Sequence, residues 1–219
     1  MNLLKTILFS LAALALLYAA PVCAGDVTQS PAAQREVRET FARDFADKVL
    51  AILQDHKKSY ADNRDVLRRA FSHSVDIDWI ARFVLGRSWN TASDEQRQRY
   101  TSLYRKYLTE TYVSNFADDP GKRIRDIKIL DVGDGEDNHF TVRTRMMLAN
   151  AHDLRVNYLV REQGGRYEVL DIVIENVSLI ETHRAEFAAL ASKAGVAGVI
   201  KRLTRLVASP VAPITLSMN

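Results

Sequence analysis

Few of the 219 residues have types and spacing that could do chemistry. The five histidines, His56, His73, His139, His152 and His183, are scattered and form no His-x-x-x-His pair, so local spacing offers no metal set. Gly133-Asp134-Gly135-Glu136-Asp137 is acidic, but it lacks the ligand spacing of a calcium loop and reads as a charged hairpin turn. No Gly-x-Ser-x-Gly elbow or phosphate-cradling glycine loop is present. One acid stands out: Asp171 lies inside an otherwise apolar strand, where an unpaired charge is costly. It is either a buried general base with a raised pKa or a structural acid bonded to backbone or to a tyrosine or arginine neighbour. No second catalytic group can be named beside it, so no catalytic or metal-ligating residue is assigned and no cofactor is expected.

What remains is apolar surface. A stripe of Tyr100, Leu103, Tyr104, Tyr107, Leu108, Tyr112 and Phe116 recurs at helical spacing after the capping box Ser93-Asp94-Glu95-Gln96. Such a stripe packs in a core or lines a space for an apolar ligand. Three helices precede it: one from Gln34 to Leu53, one from Asp62 to Phe71, and one from an Asp76 cap to a stop at Gly86. After Asp118-Asp119-Pro120-Gly121 the period changes to two. Ile127 and Ile129, then Phe140 to Leu148, then Leu154 to Val160, then Tyr167 to Ile174 read as strands joined by short turns, an antiparallel meander. Both faces of Tyr167 to Ile174 are largely apolar, which predicts a central strand covered on each side. Two helices follow, Thr182 to Lys193 and Val196 to Val207. The order predicts one α+β domain: N-terminal helices, a twisted antiparallel sheet of four to five strands, and C-terminal helices. Between helices and sheet lies an apolar space, and the residues alone leave open whether it is a filled core or an apolar pocket. Residues on the faces turned toward that space are Val84, Leu85, Trp89, Leu108, Phe116, Met146, Leu148, Val156, Tyr158 and Ile172.

The start of the chain has the layout of a secretory signal: Lys5, an apolar run from Ile7 to Ala20, and small residues at Val22 and Ala24. Cleavage after Ala24 removes the single cysteine, Cys23, and with it any disulfide or thiol chemistry. Removing 24 of the 219 residues leaves 195, enough for a single core over 25–208 with a flexible tail at 209–219. The formal charge of +3 falls to +2 with Lys5, and acids alternate with bases, so nucleic acid is not an expected partner.

Phe83-Val84-Leu85-Gly86-Arg87-Ser88-Trp89-Asn90-Thr91-Ala92-Ser93, with Glu95-Gln96-Arg97, resembles the signature of the MlaC family of periplasmic phospholipid-binding proteins, also called toluene-tolerance proteins. Tyr107-Leu108 with Thr111-Tyr112, Tyr167 to Ile172, Glu175 to Ile180, and Arg184 with Phe187 extend the likeness in order from about Phe41 to Leu206. Two positions depart from it: the family usually has glycine at Asn176 and often tryptophan at Tyr167. The resemblance implies a twisted sheet under helices, with acyl chains held between them and the head group outside. It also implies a periplasmic, non-enzymatic carrier whose cargo is phospholipid. Its partners would be an inner-membrane ABC lipid transporter complex and an outer-membrane lipoprotein complex, together maintaining outer-membrane lipid asymmetry. By matching position it adds Tyr112 and Val177 to the lining residues. The alternatives are a small pocket enzyme using Asp171 and an envelope adaptor that carries no lipid.

Overall fold

The computed structural model describes residues 30–54, 60–117, 124–149 and 152–209; the expected signal segment, the turn at Asp118 to Gly121 and the tail beyond Ser209 lie outside them. Helix α1 (Pro31–Leu53) begins where the Ser30 hydroxyl accepts the Ala33 N–H at 3.2 Å, with proline at the first helical position. After α2 (Tyr60–Ser74), the Asp76 carboxylate accepts the Trp79 N–H at 2.9 Å and opens α3 (Ile77–Leu85). Gly86 ends α3 at φ 57° and ψ −130°, a conformation that L side chains rarely adopt, and turns the chain into the short α4 (Arg87–Thr91). The capping box at Ser93 forms as the sequence predicts. Gln96 N–H donates to the Ser93 hydroxyl, the Gln96 side-chain oxygen accepts the Ser93 N–H, and α5 (Asp94–Ala117) follows.

Five antiparallel strands come next, β1 (Ile124–Asp134), β2 (His139–Leu148), β3 (Leu154–Gln163), β4 (Arg166–Ile174) and the two-residue β5 (Val177–Ser178). They lie side by side in chain order. Three of the connections have two residues at positive φ: Asp137-Asn138, Gly164-Gly165 and Glu175-Asn176. Consecutive left-handed residues match the twist of the flanking strands. Asn176, at φ 67°, is where the family favours glycine, and asparagine tolerates that region best among side-chain-bearing residues. Helix α6 (Leu179–Ala208) closes the fold. The sequence predicts two helices there, and the structure runs them together with a break at Gly195 (φ 64°, ψ −178°).

Strand β4 is fourth of five rather than central, yet it is covered on both sides, for a reason the order alone conceals. It is the seam between two cores. The first is helical: Ile77, Leu85, Tyr100, Tyr104, Phe187 and Leu203 are buried where α3, α5 and α6 meet. The second joins α1 to the sheet through Ala42, Phe140, Val142, Val156, Val160 and Val169. Ile172, Ile174 and Val75 touch both. Val75 also forms a parallel bridge to Val169, and the Asp76 N–H donates to the Val169 carbonyl. The α2–α3 junction thereby covers the part of the β4 edge that the short β5 leaves open.

Candidate functional site

The register sorts the sheet into two faces. Val142 pairs with Tyr158, and Tyr158 with Ile172; Met146 pairs with Leu154, Leu148 with Ile124, and Ile174 with Val177. Side chains directly opposite one another share a face. The six strand residues expected from sequence to line the pocket, Met146, Leu148, Val156, Tyr158, Ile172 and Val177, therefore all lie on one face. This inner face carries α1.

Helix α1 reaches the sheet with its smallest side chains. Ala42 and Ala46, one turn apart, are buried, while Phe41, Phe45 and Val49 beside them are half-buried. Between these residues and Val142, Thr144, Tyr158, Val160 and Val169 lies a cavity of about 10 Å³. A single water needs roughly 10–15 Å³, so the layer is closed. Its threonine is satisfied, since the Thr144 hydroxyl donates to the Val156 carbonyl at 2.7 Å. Burial pushes the Tyr158 hydroxyl up to about 12, which keeps it neutral. Polar clamps hold α1 near its ends. Arg38 pairs with Asp134 at 2.6 Å and sits 5.1 Å over the Phe140 ring; Gln54 donates to the Arg125 carbonyl at 2.9 Å. Phe41 lies against Tyr167 with ring centroids 4.5 Å apart, so tyrosine, where the family often has tryptophan, still supplies an aromatic body.

Of the helical candidates, Val84, Leu85, Leu108 and Tyr112 are buried in the helical core, and Trp89 packs against that core with its ring flanked by Arg82 and Arg97. The side chain of Phe116 lies outside the described part of α5. Tyr112 stacks on Phe71 of α2 at 5.1 Å, and beside this stack Glu110 of α5 accepts from Arg68 at 2.7 Å and Arg64 at 3.2 Å. The Arg68 hydrogen bond holds the Glu110 carboxyl below its usual range. Val177 is 45 % exposed at the β4–β5 turn. The structure thus divides ten of the twelve candidates between two cores that meet at Ile172, with Val177 exposed outside both, and among the described candidates only Tyr158 borders the cavity. Sequence reasoning missed Ala42 and Ala46; their i, i+4 spacing beside Phe41 and Phe45 was the available signal.

Asp171 has a defined role. Its carboxylate accepts the Ser178 hydroxyl at 2.6 Å and the Ile180 N–H at 3.3 Å, which ties β4 to the start of α6. Burial raises its pKa, and these hydrogen bonds oppose the rise. The tyrosine stripe is likewise spent on packing: Tyr100 donates to the Ala81 carbonyl at 2.9 Å, and the Tyr104 hydroxyl meets His183 Nδ1 at 3.0 Å. Among the described residues no group of three or more His, Cys, Asp or Glu could hold a metal ion, and no helix is long and apolar enough to cross a membrane.

Known proteins share this architecture. A crystallised phospholipid-binding protein from Ralstonia solanacearum, solved in complex with a phospholipid, superposes with a TM-score of 0.65 at 22 % identity, over 81 % of this chain and 99 % of that one. The intermembrane phospholipid transport system binding protein MlaC of Haemophilus influenzae is 20 % identical over 173 residues, covering 76 % of this chain and 80 % of its own. The family model described as MlaC protein matches residues 43–205, which include α3 to α5, the whole sheet and nearly all of α6. On that match, the chain belongs to the MlaC family.

Proposed function

We propose that this protein is a soluble periplasmic carrier of phospholipid that shelters acyl chains between α1 and the inner sheet face. The observation that carries the reading is an apolar sheet face roofed by one helix, with Ile172, Ile174 and the Phe71–Tyr112 stack continuing it toward α2 and α5. Two chains of roughly 15 methylenes, at about 0.8 kcal/mol each, represent on the order of 24 kcal/mol of transfer from water. Only a comparably dry space offsets that cost. A bilayer offers the same shelter, so the net free energy of transfer can be close to zero. Direction then comes from the complexes that load and unload the carrier: an outer-membrane lipoprotein complex and an inner-membrane ABC lipid transporter.

A cavity of about 10 Å³ cannot hold an acyl chain, so loading requires α1 to lift from the sheet or α2 to swing from α5. The lining set proposed from sequence follows the path such a chain would take, from Tyr158 through Ile172 to Tyr112, with Val177 at the rim. No step of this function uses catalysis, in keeping with the structural task of Asp171. Native mass spectrometry of the exported protein, followed by solvent extraction, tests the reading. The expected result is a mass increment that extracts as phospholipid; a lipid-free protein that takes up none from vesicles would contradict it. Val177→Glu places a carboxylate at an already exposed position, so it should leave folding intact and sharply reduce lipid retention. Unchanged retention would remove Val177 from the path.

A further inference from the structure

The outer face of the same sheet carries a charge pattern that the carrier reading does not use. Lys128 of β1 pairs in register with Arg145 of β2, and Arg145 with Arg155 of β3. All three are exposed, and neighbouring strands lie about 4.8 Å apart, so the cations form one straight row across three strands. Like charges directly opposite one another on a sheet are destabilising. Only the last of the three is neutralised, by Glu175 at 3.0 Å from the Arg155 guanidinium. Arg143, one step along the same face, is spent on Asp131. Asp126 lies opposite Met147 on this face, and His152 and Asp153 border the recess beside Arg145 and Arg155. Among the described residues, neither Lys128 nor Arg145 has a carboxylate within ion-pair distance.

Apolar tips flank the row. Met147, next but one to Arg145 on β2, is 36 % exposed, and Leu130, at the irregularity between Ile129 and Asp131 on β1, is 48 % exposed. We propose that this outer sheet face docks on the anionic phospholipid surface of a bilayer. A plane of phosphates supplies the anions that the row lacks, and the apolar tips reach the head-group boundary beneath it. The surface suits a broad anionic plane better than one small anion, because its cations lie along a strand-crossing line and the open recess that Arg145 and Arg155 border is also lined by Asp153 and Glu175. The row also lies toward the end of the sheet where Val177 is exposed, so docking brings that rim close to the membrane. The proposal is independent of where cargo binds.

Flotation of the exported protein with vesicles tests it, comparing phosphatidylglycerol and phosphatidylcholine in equal parts with phosphatidylcholine alone, at low and high salt. Binding to the anionic vesicles only, and weakened by salt, is expected. Lys128→Gln with Arg145→Gln should lower the partition about twenty- to thirtyfold, from roughly fivefold per cation near an anionic surface. Both residues are exposed and repel each other, so the fold should hold, as circular dichroism and a melting curve will report. Lys201→Gln with Arg205→Gln removes the same charge from exposed sites on α6 and should change the partition less than about twofold. Equal indifference of the natural protein to both vesicles overturns the proposal and leaves the row to an acidic protein face. An equal loss from both charge pairs overturns the location. Lipid extracted from the same samples separates this outcome from a failure of the carrier reading.

Discussion

The two apolar layers of this chain use similar side chains and differ in how completely they cover them. In the helical core Tyr100, Tyr104, Phe187, Val199 and Leu203 are fully enclosed, and the two tyrosine hydroxyls have defined partners. In the α1 layer the sheet contributes enclosed residues such as Phe140 and Val160, but the covering helix leaves Phe41, Phe45 and Val49 half in water. Separating α1 from the sheet therefore exposes less new apolar surface than opening the helical core would. This difference in cover is the ground for proposing that the α1 layer, and not the helical core, opens for cargo.

Truncation should separate the two layers by the largest margin. Phe187→Ala empties an enclosed site and should cost about 3–5 kcal/mol, whereas Phe45→Ala, from a half-exposed ring, should cost about 1–2 kcal/mol, both read by chemical denaturation. Equal losses would mean that α1 is held as firmly as the helical core.

The next effect is set by pH. Burial lowers the His183 pKa from 6.5 to about 4. The unfolded chain then takes up a proton near 6.5 while the folded chain does not, so stability falls as pH drops through that window and levels off below about 4. Between pH 7 and pH 5 the loss should be about 2 kcal/mol, and His183→Gln should abolish that dependence. A pH-insensitive natural protein would show that the helical core admits water at Tyr104. The smallest change is Gly86→Ala. The space is open, with Phe83 O the nearest atom at 3.8 Å, so its cost of about 1–2 kcal/mol would be backbone strain alone.

Much of this architecture was legible in the chain. The capping box at Ser93, the Asp76 cap, the Gly86 stop and the period-two runs from Phe140 to Ile174 are local signals, and each marks a real boundary or strand. The common face of Met146, Leu148, Val156 and Tyr158 followed from alternation and register. Position within the sheet was not legible. Apolar residues on both faces of β4 indicate burial on two sides, but they do not distinguish a central strand from a seam beside helices. The covering helix was hidden for a similar reason: the Phe41, Phe45 and Val49 stripe marks a buried face without naming what it meets. The short α4 also went unread, because Arg87–Thr91 is too brief for a helical period. Asp171 carried two readings in the sequence. Its partners, Ser178 and Ile180, lie seven and nine residues away and reach it only through the β4–β5 turn.

Amide hydrogen exchange on stripped and phospholipid-loaded protein tests whether cargo enters the α1–sheet layer while the helical core stays sealed. Altered protection is expected in α1, in α2 and on the inner strands near Tyr158 and Ile172, with Val196 to Leu203 of α6 unchanged. Changes confined to α5 and α6, with α1 unaffected, would contradict it.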